Sequence, residues 1–261
     1  MLRLEIDAGN TRVKWRLVSV TPQSPAATVI VESGNWLTSE PTYEKPTAWS
    51  GDIRAVWIAS VAGEAVNQKL AELCEVALAI TPVFAISQAS GAGVRNGYAE
   101  PSQMGVDRWL VMLAAYANSA AASVVVDAGS AITIDFTDDA GQHLGGYILP
   151  GRRLLLESLR QNTAQVAVPD KAQPSALLGQ STQACVLGGV DLIVQGMVSE
   201  LVAGIDQHLG NGIVWLTGGD APWFAHYIDV WQSKTGRPLN YQIVPDLVLD
   251  GLAVMMPLES N

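Results

Sequence analysis

The sequence is poor in the residues that build disulfide scaffolds, metal clusters and nucleic-acid-binding faces. It holds 2 cysteines, 3 histidines and 15 lysines and arginines against 25 acidic residues. Cys74 and Cys185 lie far apart without metal-ligand spacing, so we expect two reduced thiols in the core. His143, His208 and His226 are scattered and are interpreted as structural or surface residues. A net charge of −10 disfavours nucleic acid as a partner, and anionic substrates must be attracted by local cations or dipoles.

Long apolar runs are also missing. No stretch approaches the roughly 20 residues of a membrane-spanning helix. Arg3, Glu5 and Asp7 in the first strand do not fit a signal peptide, so we expect a cytoplasmic protein with no membrane partner. Apolar residues make up 49% and charged residues 15% of the 261 positions. This composition excludes disorder, and the length suits one large domain or two of moderate size.

The stretch Val124–Gly151 predicts three consecutive strands. The β-branched run Val124–Val126 ends on Asp127-Ala128-Gly129, and apolar and polar residues then alternate from Ala131 to Thr137. A period of two indicates a returning strand rather than a helix. The turn residues of Asp138–Gly141 lead into a third strand.

The beginning of the chain repeats this pattern. Leu2–Ile6 alternates into Asp7-Ala8-Gly9, and a second alternating segment follows at Val13–Leu17. Asp and Gly are common turn residues, so two such turns could arise by chance. The shared flanking strands favour an internal duplication instead.

Both turns have the chemistry of a phosphate site. Glycine lets the backbone approach a ligand closely, and the N–H groups of a tight turn form a nest for anions. Asn10, Thr11, Ser130 and Thr133 add neutral polar groups. Carboxylates beside phosphate require a cation between them or a water to orient. This is not a P-loop, because no Gly-Lys-Ser/Thr ends either turn. Two such clamps suggest a nucleotide held between two similar domains.

A third candidate region precedes and begins a predicted helix. The glycine-rich loop Gly91–Tyr98 leads to a helix that starts at Val106, with Asp107 and Arg108 in its first turn. In one interpretation Asp107 merely complements the helix dipole and Arg108 is solvated. In the other, unpaired backbone N–H groups keep Asp107 ionised and fixed, as a catalytic carboxylate requires.

Three other segments complete the sequence reading. Gln165–Gly179 is rich in Pro, Ala and Ser and is predicted to be a loop. Ser181-Thr182 precedes a long apolar helix, and its position alone indicates a plain helix cap at Thr182. Thr217-Gly218-Gly219-Asp220 ends a strand. The segment is either an ordinary turn or a site at which a flat adenine or ribose lies on backbone without side chains.

These motifs together resemble the type III pantothenate kinases, of the acetate and sugar kinase, heat-shock and actin superfamily. The resemblance covers nearly the whole chain and rests on five motifs in the family's order. They are Asp7-Ala8-Gly9-Asn10-Thr11, Gly105-Val106-Asp107-Arg108, Asp127-Ala128-Gly129-Ser130-Ala131-Ile132-Thr133, Gly145-Gly146-Tyr147-Ile148-Leu149-Pro150-Gly151 and Thr217-Gly218-Gly219-Asp220-Ala221. One departure is Ser130, where the family usually has threonine; the hydroxyl is retained.

The resemblance implies a set of site residues. Asp107 is the implied catalytic base, and Asp127 the implied ligand of a monovalent cation, K⁺ or NH₄⁺. The implied substrate contacts are Tyr98, Gly105, Val106, Asp107, Arg108 and Thr182, the last reached across a dimer interface. The implied ATP contacts are Asp7, Ala8, Gly9, Asn10, Thr11, Arg12, Val13, Lys14, Ser130, Thr133, Gly218 and Gly219. Magnesium is expected with ATP.

The resemblance also implies fold and function. The fold is α/β, with two similar ribonuclease H-like (actin-like ATPase) domains, mixed sheets flanked by helices and nucleotide in the cleft between them. We place the domains at 1–118 and 119–261. The implied activity is ATP-dependent phosphorylation of pantothenate to 4'-phosphopantothenate, the first step of coenzyme A biosynthesis, by a homodimer with its active site near the interface. The alternatives are a non-catalytic nucleotide- or pantothenate-binding accessory or regulatory relative, and another small-molecule kinase of the superfamily.

Overall fold

The computed structural model describes residues 1–21, 24–163 and 178–256. Within them the elements in chain order are β1 (Leu2–Ala8), β2 (Arg12–Thr21), β3 (Ser24–Leu37), β4 (Ile53–Ser60), α1 (Glu64–Leu78), β5 (Val83–Phe84), β6 (Ser90–Gly91), β7 (Val94–Arg95), α2 (Val106–Ser119), β8 (Ser123–Ala128), β9 (Ala131–Thr137), β10 (His143–Pro150), α3 (Arg152–Asn162), α4 (Thr182–Gly204), β11 (Ile213–Thr217), α5 (Ala221–Thr235), β12 (Tyr241–Ile243) and α6 (Leu247–Met255). The loop predicted at Gln165–Gly179 lies almost entirely outside the described residues.

The chain divides into two compact units. The first contains Met1–Ala120 together with the segment that begins at Asp246, and the second is Ala121–Pro245. The division between the units falls close to the predicted boundary of 118/119. The segment from Asp246 onward differs from the predicted arrangement, because α6 packs on α2 and β1 of the first unit. Gly251 lies so close to the backbone of Leu110 that a Cβ at this position would overlap it.

The first unit is built on a mixed five-stranded sheet with the order β3-β2-β1-β4-β5. β1 pairs antiparallel with β2 and parallel with β4, as expected for a hairpin followed by a crossover. Leu4 and Ile6 are fully buried on one face of β1, in a core that includes Ile58 and Leu70. The strand therefore alternates as the sequence pattern predicts.

The opposite face of β1 carries a buried ionic network. Glu5 is 0% exposed and accepts hydrogen bonds from Nε of Arg3 at 2.7 Å and from Nε of Arg16 at 2.5 Å. Arg16 also donates from Nη1 to Asp250 of α6 at 2.7 Å. The guanidinium of Arg3 lies 4.0 Å from the ring centroid of Trp57. This network ties the first hairpin to α6.

The tryptophan-rich segment from Trp36 to Trp57 contributes to an aromatic cluster, which we define as Trp15, Trp36, Tyr43 and Trp49. Their ring centroids lie between 5.1 and 6.1 Å apart, with Trp36 stacked on Tyr43 and Trp49 edge-on to Trp15. Such offset and edge-on contacts are favourable for aromatic rings. The sequence predicts a strand at Thr28–Val31 and an irregular or weakly helical chain at Ser33–Asp52, whereas β3 extends to Leu37.

The second unit repeats the sheet of the first. Its strand order is β10-β9-β8-β11-β12, so each strand occupies the position of its counterpart in the first sheet. β8 pairs antiparallel with β9 and parallel with β11. The equivalence of the two sheets confirms the predicted duplication and the predicted class of two mixed α/β units.

α4 packs into the core of the second unit. Together with the π-helical turn Ile205–Leu209 it forms 28 residues, and an 18-residue window within them has a mean hydropathy of 1.6, so the segment is long and apolar enough to span a membrane. A core helix of a soluble protein has the same composition. Val194, Val198 and Leu201 are at most 1% exposed and pack against the sheet. We therefore interpret α4 as a core helix.

The burial of the cysteines agrees with the prediction for only one of the two, and one histidine has the predicted structural role. Cys74 is buried, and burial raises the pKa of its thiol to about 12. Cys185 is exposed, so the prediction of two core thiols is wrong for this residue. It lies near the start of α4, on the face turned away from the core. His143 is buried, and its Nε2 lies 3.0 Å from Oδ1 of Asp135, which agrees with a structural role.

Candidate active site

The first Asp-Ala-Gly turn joins β1 to β2. The backbone N–H of Gly9 donates to the carbonyl of Arg12 at 3.0 Å and closes the turn. Asn10, Thr11 and Arg12 are exposed, while Asp7 and Lys14 are cross-strand partners in the hairpin. The predicted ATP contacts of this unit thus share one hairpin end, with polar side chains and backbone available to a ligand.

Lys14 supplies the positive charge nearest to Asp7 along the hairpin register. Its Nζ lies 3.9 Å from Oδ1 of Asp246, and both side chains remain about one-third or more exposed. An exposed pair at this distance is weakly held. The ammonium group of Lys14 is of a kind that binds phosphate.

The second Asp-Ala-Gly turn joins β8 to β9 and is closed in the same way. The N–H of Gly129 donates to the carbonyl of Ala131 at 2.9 Å, and Asp127 and Thr133 are cross-strand partners. The N–H of Gly151 donates to the carbonyl of Ser130 at 3.0 Å. A Cβ at Gly151 would overlap the carbonyl of Gly129, so the start of α3 lies directly against this turn.

The turn after β11 also lies against the second Asp-Ala-Gly turn. Gly218 has a φ of +88°, and a Cβ there would overlap the carbonyl of Ala128 and Oδ1 of Asp127. The N–H of Asp220 donates to the same carbonyl at 2.8 Å. The structure therefore places Asp127, Ser130 and Gly218 at the same end of the second sheet.

Gly218→Ala is expected to destabilise the protein by about 1–3 kcal/mol, because the added Cβ meets both a left-handed backbone and a neighbouring carbonyl. Gly219→Ala is the matched control: no atom lies within 4 Å of its Cβ position, and we expect a change below about 0.5 kcal/mol. Urea unfolding of both variants measures the difference. Equal stability of the two variants would contradict the close approach described for Gly218.

The start of α2 gathers the residues predicted to bind substrate. Arg108 is 5% exposed, and its Nη1 donates to the hydroxyl of Tyr98 at 2.7 Å. The backbone N–H of Tyr98 donates in turn to Oδ1 of Asn96 at 2.9 Å. Arg108 is thus a buried, directed cation, and the interpretation as a solvated neighbour is wrong.

Asp107 is held at the same helix start. Its Oδ1 accepts the backbone N–H of Arg108 at 2.8 Å. A Cβ at Gly105 would lie 2.6 Å from that oxygen, so a larger residue at 105 would displace the carboxylate. Val106 is buried and anchors the helix, while Asp107 remains partly exposed. The arrangement presents one fixed carboxylate oxygen beside a buried arginine.

Thr182 occupies a different place in the fold. It is the first residue of α4, is exposed, and follows Ser181, whose Oγ accepts the N–H of Ala184 at 3.2 Å. Ser181 is therefore the cap, which leaves the hydroxyl of Thr182 available. Thr182 and Cys185 line an apolar groove of about 490 Å³ between α3 and α4.

The residues of the turns suit hard cations rather than transition metals. Among the described residues, no three His, Cys, Asp or Glu side chains come together as a metal cluster. Asp127 supplies a carboxylate beside the carbonyl of Ala128, and oxygen ligands of this kind fit an alkali cation. Mg²⁺ is commonly held by one or two carboxylates together with substrate phosphates, and each turn contains one carboxylate of this kind.

Sequence reasoning missed two contributors to the turns. Thr38 contacts the first turn from 29 residues away, so no local motif could indicate it. Arg152 follows Gly151 at the start of α3 and lies 5.1 Å from the ring centroid of Trp223. Burial raises the pKa of nearby Asp220, and Arg152 opposes that shift. The position of Arg152 directly after Gly151 was the available signal.

The two units have the same strand order, and in each an Asp-Ala-Gly turn joins the two strands of the first hairpin. This arrangement defines the duplicated actin-like ATPase fold class. The family model described as type III pantothenate kinase matches residues 3–204. The chain belongs to the type III pantothenate kinase family.

Curated relatives agree with this assignment, and solved structures share the fold. The chain is 34% identical over 249 residues to a type III pantothenate kinase of Marinobacter nauticus, covering 95% of this chain and 96% of the relative. It is 34% identical over 261 residues to the type III pantothenate kinase of Pseudomonas aeruginosa, covering 98% and 99%. A Baf family protein from Campylobacter jejuni has a similar fold, with a TM-score of 0.57, 18% identity and coverage of 95% and 94%. The ethanolamine utilization protein EutJ of Carboxydothermus hydrogenoformans gives a TM-score of 0.52 at 10% identity, covering 98% and 90%.

Proposed function

We propose that this chain transfers the γ-phosphoryl group of ATP to the primary hydroxyl of pantothenate, forming 4'-phosphopantothenate. The observation that carries the proposal is the helix start at which Asp107, Arg108 and Tyr98 meet, in a chain of this family. The product enters coenzyme A biosynthesis, and we place the enzyme in the cytoplasm.

Asp107 acts as the base in this proposal. Phosphoryl transfer depends mainly on positioning and on charge stabilisation, so the carboxylate needs a fixed direction more than a high basicity. The N–H of Arg108 fixes one oxygen of Asp107. The other oxygen accepts the proton of the substrate hydroxyl as that hydroxyl attacks the γ-phosphorus.

Arg108 and Tyr98 hold the acceptor substrate. Pantothenate carries a carboxylate, and a planar guanidinium binds a carboxylate through two parallel hydrogen bonds. Because Arg108 is buried and already directed by the Tyr98 hydroxyl, little side-chain entropy is lost when the substrate binds. Gly105 and Val106 shape the backbone of this contact.

The two Asp-Ala-Gly turns and the Gly218-Gly219 turn hold ATP. In the first turn the contacts are Asp7 to Lys14, and in the second they include Ser130 and Thr133. Bound Mg²⁺ would neutralise charge on the β- and γ-phosphate oxygens. Asp127 would be a ligand of a monovalent cation, K⁺ or NH₄⁺. The adenosine would lie on the backbone of Gly218 and Gly219, with open space at the Cβ position of Gly219.

Dimerisation completes the proposal. The outer face of α4 exposes Leu192 and Ile193, at 69% and 42%, next to open positions at Gly189 and Gly196. Apolar residues beside glycines suit close packing of helices. We propose a homodimer in which the hydroxyl of Thr182 reaches the substrate of the partner subunit.

A coupled ADP-release assay with pantothenate and Mg-ATP tests the function, run separately in potassium, ammonium and sodium salts. We expect turnover that requires pantothenate and potassium or ammonium. Turnover in all three salts would support the proposed kinase activity and contradict the proposed role of Asp127 as a ligand of K⁺ or NH₄⁺. Absence of turnover in every salt, with ATP binding intact by calorimetry, would overturn the proposed activity.

A further inference from the structure

Thr38 contacts the first Asp-Ala-Gly turn at both of its ends. Its Oγ1 donates to the carbonyl of Gly9 at 2.8 Å, and its backbone N–H donates to the carbonyl of Thr11 at 3.1 Å. The residue follows β3 directly and is half-buried behind the turn. We propose that Thr38 is a positioning residue that orients the first turn for the phosphates of ATP.

The geometry of the peptide bond explains how a contact behind the turn acts in front of it. A trans peptide is planar, and its N–H points opposite to its carbonyl. When Thr38 fixes the carbonyl of Gly9, it therefore directs the N–H of Asn10 away from Thr38. The described chain contains no cis peptide bond, so this relation holds at Asn10. N–H groups directed in this way form the anion nest of a turn.

Thr38 is itself held by the aromatic cluster. The hydroxyl of Tyr43 donates to the carbonyl of Thr38 at 3.2 Å, and the ring of Tyr43 stacks on Trp36 with centroids 5.1 Å apart. Tyr43 is 7% exposed. Nζ of Lys69 donates to the carbonyl of Glu40 at 2.8 Å and lies 4.7 Å from the ring centroid of Tyr43. The aromatic cluster is thus a rigid support for the turn, which gives the tryptophan-rich segment a role.

This inference rests on the proposed binding of ATP at the first turn. Thr38 touches neither substrate in that arrangement and acts through Gly9 and Thr11. Loss of its hydroxyl removes one hydrogen bond, so the turn samples other orientations and the bound form becomes rarer. The effect should fall on ATP and not on pantothenate, whose contacts lie at the start of α2.

The experiment compares Thr38→Val with Thr38→Ser and with Thr42→Val in the full chain. Thr42 is an exposed threonine four residues further along and serves as the matched control. Thr38→Val is expected to raise the KM for ATP about tenfold, as the loss of one hydrogen bond allows. The KM for pantothenate should change less than about twofold, and Thr38→Ser should restore the KM for ATP. Calorimetry with a non-hydrolysable ATP analogue should show the same loss of affinity.

Each outcome decides the inference. An unchanged KM and affinity for the nucleotide in Thr38→Val would overturn it, and so would equal increases in the KM of both substrates. If Thr38→Val does not fold, Tyr43→Phe takes its place, because it keeps the ring and removes the hydroxyl that binds Thr38. A raised KM for ATP alone in Tyr43→Phe supports the inference. An unchanged KM for ATP overturns it. If the wild-type chain shows no ATP-dependent turnover, the proposed function is refuted. If the wild type turns over and Thr38→Val behaves like it, only this inference is refuted.

Discussion

Asp107→Asn is expected to lower kcat by about 10²–10⁴-fold while ATP and pantothenate still bind. The amide has nearly the size of the carboxylate and keeps an oxygen that accepts the N–H of Arg108. It cannot take the proton of the attacking hydroxyl. Steady-state kinetics measures kcat, and calorimetry measures the affinity of both ligands, so the chemical step is separated from binding.

Glu100→Gln is the matched control for this prediction. Glu100 is an exposed acid in the segment just before α2, and its Oε2 accepts a hydrogen bond from Nε2 of Gln103 at 2.6 Å. We expect its kcat to stay within about twofold of the wild type, because surface substitutions have small effects. A kcat for Asp107→Asn close to that of Glu100→Gln would show that another group accepts the proton.

Glu5→Gln is expected to cost about 3–5 kcal/mol of unfolding free energy. Glu5 is the buried carboxylate between Arg3 and Arg16, and its loss removes the carboxylate that pairs with Arg3, while Arg16 keeps its contact with Asp250. Burial lowers the pKa of Arg16, but Glu5 and Asp250 outweigh this effect and raise it. Burial lowers the pKa of Arg3, but a guanidinium is not deprotonated in proteins, so both arginines are charged in the folded protein. Denaturant unfolding followed by circular dichroism measures the loss.

The exposed pair of Asp52 and Arg54 provides the control. Their side chains are 66% and 64% exposed at 2.7 Å separation, so solvent screens the attraction. Asp52→Asn should change the unfolding free energy by less than about 0.5 kcal/mol. If Glu5→Gln proved as mild as Asp52→Asn, water or another acid would have to compensate the two buried arginines.

Features with a local period could be predicted from the sequence. The alternation on both sides of Asp7-Ala8-Gly9 and Asp127-Ala128-Gly129 predicts both hairpins, and the structure confirms them. The apolar spacing after Gly105 likewise predicts α2. Because these elements bury one face each, the sequence must repeat the period of that face.

Features that depend on distant contacts could not be predicted in this way. The hydroxyl of Thr38 reaches Gly9 across 29 residues, and Arg16 reaches Asp250 across 234. Neither pair has a sequence spacing that indicates contact. The exposure of Cys185 depends on which side of the mostly apolar α4 faces the core, and this helix has apolar residues on nearly every side. Propensity alone does not decide such an orientation.

The position of α6 in the chain has a consequence for synthesis on the ribosome. The second unit is one continuous segment, Ala121–Pro245, and all of it emerges before α6 does. The first unit starts earlier, but Arg16 cannot contact Asp250, and Leu110 cannot contact Gly251, until α6 has been synthesised. Domains generally fold as units during translation. We therefore expect the first unit to complete its core only after the whole of the second unit has been synthesised, although most of the first unit is made earlier.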